Sequence, residues 1–170
     1  FGNMCDMESL MDIAKEYNLI VIEDSTEALG SYYKEGRYAG KFAGTIGDFG
    51  CYSFNGNKII TTGGGGMLVS NREEWAAHAK HLSTQAKSDE VRFFHDEIGY
   101  NYRMTNLQAA LGVAQMECLE KFIEVKERNY NFYKEALHGK NGLEILPFRE
   151  DIRANKWFYS VLLKDTDKST

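Results

Sequence analysis

The stretch LIVIED, residues 19–24, constrains this chain more than any other. It is an apolar, β-branched run that ends on two carboxylates, Glu23 and Asp24, and it follows without a linker on DMESLMDIAKEYN. In that preceding segment Met7, Leu10, Met11, Ile13 and Ala14 recur at helical spacing, with Asp6 placed as N-cap. A helix feeding straight into a strand that reads as buried is the grammar of an α/β sheet. Ligands of such sheets gather at the carboxyl ends of the strands, so Asp24 stands where a ligand would be met.

Further along, GCYSF and GMLVSN predict two more strands, and REEWAAHAKHL predicts a helix. Residues 31–50, rich in glycine and tyrosine, predict turns or a short hairpin. STQAKSDEVRFFHDEIGYNYRM has no period and reads as a long loop, a length usually reserved for function. Residues 105–138 predict one long helix or two in sequence, with Thr105 as N-cap and Gly139 as the stop. LEILPF and KWFYSVLLK then return to strand-like alternation. The expected division is a large domain over 1–104, a linking helix or helix pair over 105–138, and the start of a smaller domain over 139–170.

Composition narrows the function. With 43% hydrophobic residues, 170 residues suffice for one domain with a core. Twenty basic against 25 acidic residues, a net of −5, lack the clustered positive face that nucleic acid requires. No apolar run is long enough to span a bilayer, and the opening FGNMCDMESL is polar and acidic, unlike a signal peptide. Cys5, Cys51 and Cys118 are isolated and odd in number, so they read as reduced thiols of a cytoplasmic protein. The four histidines show no metal spacing, so no metal is expected. The chain opens on Phe1 and ends just after a new apolar run, so it reads as a segment of a longer protein.

The chemistry concentrates in YSFNGNKIITTGGGGM, residues 52–67. Lys58 sits among Ser53, Phe54, Ile59 and Ile60, company that a solvated lysine does not need. A desolvated lysine becomes a nucleophilic amine suited to bonding a carbonyl, and the glycines at 63–66 permit close backbone approach. A structural lysine explains the same residues equally well. A carboxylate at the end of a buried strand needs a positive partner; for Asp24 that partner is either an arginine or a pyridinium nitrogen. Ser53 offers a hydroxyl to a phosphate or to the backbone. Asn101 and Arg103 precede an alanine-rich helix start and either reach a ligand or merely cap a loop. DFG at 48–50 lacks the rest of a kinase signature, and FNGNK is not a phosphate-binding Walker loop.

Taken in order, DMESLMDIAKEYNLIVIEDSTEALGS, GDFGCYSFNGNKIITTGGGGMLVSN and GYNYRMTNLQAALGVAQ resemble the pyridoxal-phosphate sugar aminotransferases of the DegT/DnrJ type. The resemblance implies an aspartate-aminotransferase-like fold (fold type I): a partial large α/β domain and the beginning of a smaller C-terminal α+β domain. It implies that Lys58 bonds the cofactor covalently, that Asp24 pairs with its ring nitrogen and that Ser53 holds its phosphate. Asn101 then reaches the phosphate in the neighbouring subunit of a homodimer with shared sites, and Arg103 meets negative parts of the substrate or donor. Glu27 takes the place near the ring hydroxyl where many members carry glutamine, and Asn55 stands where many carry histidine. The implied reaction moves an amino group from L-glutamate to a UDP-linked 4-keto-6-deoxy-N-acetylhexosamine. The competing reading is a non-catalytic cofactor-binding or dimerisation fragment.

Overall fold

The computed structural model describes residues 1–89 and 91–164. Its first helix, α1, spans Met7–Glu16, and Asp6 caps it by accepting a hydrogen bond from the Ser9 amide. Only one stripe of α1 is buried, at Met7 and Ala14. Met7 joins Met4, Tyr33, Ala43, Ile152 and Ala154 in one of two small cores among the described residues. Three short strands follow: β1 (Ile22–Asp24), β2 (Tyr32–Tyr33) and β3 (Phe49–Ser53). A fourth, β4, spans Gly66–Val69. The central sheet has the order β1-β3-β4, with β1 and β3 parallel and β3 and β4 antiparallel. Register pairs Asp24 with Cys51 and Ser53 with Gly66.

One expectation fails here. LIVIED is not buried: β1 is the edge of this sheet, with Ile20 and Ile22 each 63% exposed. Its other backbone edge has no neighbouring strand among the described residues, since β1 pairs with β3 alone. The α/β arrangement nonetheless holds, since α1 feeds β1 and β1 runs parallel to β3.

Helix α2, Glu73–Ser83, leads into the segment read as a long loop. That segment carries a small hairpin, β5 (Lys87–Asp89) with β6 (Phe94–His95). Alternation is absent there because the two strands are short and joined through a register shift. Residues 105–138 form two helices, α3 (Asn106–Met116) and α4 (Leu119–Leu137). Thr105 and Gln108 make a reciprocal capping box at the start of α3. Gly139, at φ +77°, follows α4 in the left-handed region that favours glycine. Buried Leu119 and Ile123 of α4 meet Phe54 and Ile60 in the second core, directly under the Lys58 loop.

Beyond Gly139, β7 (Leu143–Ile145) pairs antiparallel with β9 (Val161–Leu163). Between them β8, Ile152–Arg153, leaves that pair and adds to β2. Nothing in the alternation of residues 143–163 marks this excursion. It carries the chain back over the first half of the molecule.

Candidate active site

The site is built at the carboxyl end of β1 and in the two loops beside it. Glu23 and Asp24 occupy adjacent positions on β1 and part company there. Glu23 accepts hydrogen bonds from the amides of Gly44 (2.8 Å), Ile46 (2.7 Å) and Gly47 (2.6 Å). The buried-carboxylate argument made for Asp24 belongs to Glu23, whose charge is met by backbone donors. Asp24 is exposed. Its carboxylate accepts from the Thr26 amide at 3.2 Å. Hydrogen bonding by Thr26, with a smaller contribution from the Lys58 charge, holds the Asp24 carboxyl below its usual range. It is therefore an ionised acceptor at the strand end, engaged there only by Thr26 among the described residues.

Lys58 follows β3 by five residues. Its side chain is 14% exposed, and its Nζ lies 3.4 Å from Oε1 of Glu27. The ring of Trp157 covers it, with Nζ 4.7 Å from the centroid. Phe54 and Ile60, buried on either side, hold the loop down on α4. The amide of Thr61 donates to Gln115 Oε1 (2.9 Å) and the amide of Thr62 to the Phe54 carbonyl (2.9 Å). The glycine run serves the return: Gly63 and Gly65 have φ of +76° and +93°, and a Cβ on Gly66 would stand 2.5 Å from the Tyr52 carbonyl oxygen.

A cleft of about 490 Å³ opens beside this group, lined by Asp24, Thr26 and Glu27 among others. Asp24 and Glu27 thus line one opening, and the Lys58 amine reaches it through its contact with Glu27. Their chemistry fits a cofactor carrying an aldehyde and a protonatable ring nitrogen, with Lys58 toward the first and Asp24 toward the second. Glu27 fits as the partner of the Lys58 ammonium.

The remaining sequence candidates have other partners. Ser53 Oγ accepts from the Asn55 amide at 3.3 Å, the backbone role open to any strand-end serine. Asn101 bridges to Thr84, and both Asn101 and Arg103 are exposed. Neither is a polar partner of Lys58, Glu27 or Asp24 among the described residues. Cys51, beside Asp24, is a poor nucleophile because burial and that carboxylate push its thiol up; Cys5, Cys51 and Cys118 are all free.

Several participants were missed in the sequence. Trp157 and Asn155 lie 99 and 97 residues beyond Lys58 and carry no local signal, so only the topology brings them in. Two surface pairs also went unread, His78 with Glu97 (3.0 Å) and His81 with Asp96 (2.7 Å). Ligand atoms of His81, Asp96 and Glu97 lie within 4.8 Å of one another. The hydrogen bond with His81 lowers the Asp96 carboxyl, so that carboxylate already has a partner.

Comparison with known proteins fits this geometry. Residues 1–170 match the model of the DegT/DnrJ/EryC1/StrS aminotransferase family. The chain is 41% identical over 163 residues to EpsN of Bacillus subtilis (strain 168), covering 96% of this chain and 41% of that protein. It is 40% identical over 168 residues to GDP-perosamine synthase of Escherichia coli O157:H7, covering 99% of this chain and 44% of the relative. Helicobacter pylori PseC, an aminotransferase involved in the biosynthesis of pseudoaminic acid, superposes with a TM-score of 0.87 at 26% identity. That match covers 96% of this chain and 43% of PseC. The chain therefore spans less than half the length of the relatives it matches.

Proposed function

The chain belongs to the DegT/DnrJ/EryC1/StrS aminotransferase family, and from that premise we propose that it forms the lysine-bearing part of a pyridoxal 5'-phosphate-dependent sugar aminotransferase. The reaction moves an amino group from an amino acid, L-glutamate, to the keto carbon of a nucleotide-linked 4-keto-6-deoxy sugar. One observation carries the reading: a largely buried amine, Lys58, lies 3.4 Å from Glu27 and close enough to ionised Asp24 to stabilise its charge.

When bound, the cofactor supplies the electron sink for the carbanion formed at the donor's α-carbon. The protein's residues do the rest. Lys58 would anchor the cofactor and would serve as the base that carries the proton to and from the reacting carbons; such acid–base help is worth roughly two to four powers of ten. Asp24, ionised, holds a proton on the ring nitrogen. Glu27 orients the Lys58 amine. Ser53 binds the phosphate, and Arg103 takes up negative charge on the substrate or the donor.

The working unit in this reading is a homodimer, with Asn101 of each protomer serving the phosphate in its partner's site. Outward apolar residues beside Asn101 support it: Ile98 is 85% exposed and Tyr102 75%. The same reading places the enzyme in the cytoplasm, where its free thiols and nucleotide-linked substrates fit. No helix among the described residues is long and apolar enough to cross a membrane.

The resemblance of SFNGNKIITTGGGG points to a UDP-linked acceptor, whereas the relative in E. coli is named for a GDP-linked product. The test incubates the full-length protein carrying this chain with glutamate and either UDP- or GDP-linked 4-keto-6-deoxy sugar. Amination of one of them, with 2-oxoglutarate released in equal amount, is expected. No amination of either by a cofactor-loaded protein would remove the reading.

A further inference from the structure

The segment 153–157 returns from the far half of the chain and touches both partners of the Lys58–Glu27 pair. Asn155 is fully buried. Its Nδ2 donates to the carbonyls of Glu27 and Leu29, each at 3.0 Å, and its amide donates to Ser31 Oγ at 2.9 Å. Its Oδ1 accepts from the Trp157 amide at 3.1 Å, which ties the two residues together. Trp157 is 3% exposed, and its indole N–H donates to the Asn57 carbonyl at 2.9 Å. Asn57 immediately precedes Lys58. The ring face of Trp157 meanwhile covers the Lys58 Nζ.

Between them Lys156 adopts φ +49°, the left-handed region that a lysine rarely occupies. Its side chain points away and pairs with Glu127 at 2.7 Å. The Trp157 carbonyl accepts from Lys126 Nζ at 3.1 Å, so the segment is also moored to α4. Backbone held in a sparsely populated conformation persists where its surroundings over-determine it. Here those surroundings are hydrogen bonds that aim Asn155 at one loop of the site and Trp157 at the other.

We propose that residues 153–157 are a positioning strap for Lys58, with Trp157 fixing the amine's direction and Asn155 fixing Glu27 opposite it. The inference rests on the reading of Lys58 as the cofactor-bearing amine. Trp157 restrains the lysine at two points. The bond to the Asn57 carbonyl stops the preceding peptide from rotating, and the ring closes one side of the ammonium by cation–π contact. The amine is left paired with Glu27, which lines the cleft. One short segment therefore sets both members of the pair, which links the far half of the chain to the reacting nitrogen.

The test uses the full-length apoprotein and follows covalent capture of pyridoxal phosphate on Lys58 by borohydride reduction and peptide mass spectrometry. Binding of pyridoxine phosphate, which lacks the aldehyde, reports separately on the intact fold and phosphate site. Trp157→Leu removes the N–H and the ring and is expected to slow capture about tenfold, the combined scale of one hydrogen bond and one cation–π contact. Analogue binding should stay within about twofold of wild type, since neither lost contact touches a phosphate site. Trp157→Phe keeps the ring face alone and is expected to slow capture roughly threefold, about half the effect in free energy. If Trp157→Leu no longer binds the analogue, Trp157→Phe carries the test.

Capture at the wild-type rate in a variant that binds the analogue would overturn the strap. A slowing matched by an equal loss of analogue binding would overturn it as well, since the effect would then be general damage. Lys58→Ala separates the two readings: if that variant still captures cofactor, the assignment of Lys58 has failed. If it does not, and Trp157→Leu captures normally, the strap alone has failed.

Discussion

The Lys58 loop and the segment 84–104 are both irregular and glycine-bearing, yet they are held in opposite ways. The first is pinned from afar: Asn57 is bonded by a residue 100 positions on and Thr61 by one 54 positions on. Its apolar side chains, Phe54 and Ile60, are buried. The second is held by near neighbours, through bonds such as Gln85 to Tyr100 and the pairs His78–Glu97 and His81–Asp96. It turns Phe93, Phe94, Ile98, Tyr100 and Tyr102 outward, with the last two rings stacked at 5.1 Å. Long-range bonds make a rigid support for an amine whose direction matters. An apolar surface with local support fits a face completed by another chain. In our account the first region is a site this chain builds for itself, and the second is a contribution to a site elsewhere.

That contrast breaks most visibly by subunit mixing. Lys58→Ala and Asn101→Ala proteins, in full-length form, should each be inactive alone. Mixed under conditions of proven exchange they should regain about a quarter of the wild-type sites, the statistical share for a two-fold dimer. No recovery would put Asn101 back in its own protomer's site or in none. Next in size is Asp24→Asn, which keeps the Thr26 hydrogen bond but removes the charge. Turnover should fall by roughly two to four powers of ten with the melting temperature nearly unchanged, because the group is exposed. Near-normal turnover would make Asp24 a mere strand terminus.

Stability should also divide along the same line. Ile123→Ala empties space beneath the Lys58 loop, where Ile123 is fully buried, and should cost about 2–5 kcal/mol by denaturant titration. Phe94→Ser, at a position 66% exposed, should change the stability of the isolated protomer by less than about 0.5 kcal/mol while weakening self-association. Equal effects would erase the distinction between the two regions.

The smallest expected effect concerns the mooring of β8. Arg153 pairs with Glu120 at 2.5 Å and holds that carboxyl below its ordinary 4.5. A depressed carboxyl stabilises the fold above its ordinary value, and the contribution fades as pH falls through the lowered one. Glu120 is largely exposed, so Glu120→Gln should cost less than about 1 kcal/mol at pH 7. The difference should begin to shrink below pH 4.5 and vanish only below the lowered folded-state value.

What could be read from the residues, and what could not, follows the range of the interactions. α1, its cap at Asp6, the strands around Cys51 and Leu68, and the capping box at Thr105 all rest on neighbours within a few positions. They are legible in local sequence, although at Thr105 only the N-cap was read and not its reciprocal bond with Gln108. The partial burial of Lys58 was also foreseen, because Phe54 and Ile60 flank it. The exchange of roles between Glu23 and Asp24 was not, since it depends on amides 20 or more residues away. The hairpin of β5 and β6 was hidden by its brevity, and the exposure of β1 by its apolar composition. Trp157 and Asn155 were invisible for a stronger reason. Their partners are set by β8 joining β2, a long-range pairing of two residues that leaves no periodicity to detect.

The central claim is that Lys58 is the amine this fold exists to aim. Borohydride reduction of the cofactor-loaded full-length protein, followed by digestion and mass spectrometry, tests it directly. The account predicts one modified peptide containing GNKIITTGGGG, with the reduced pyridoxyl phosphate group on Lys58 and no such peptide in the Lys58→Ala variant. Cofactor fixed to any other lysine, with the Lys58 peptide unmodified, would contradict it.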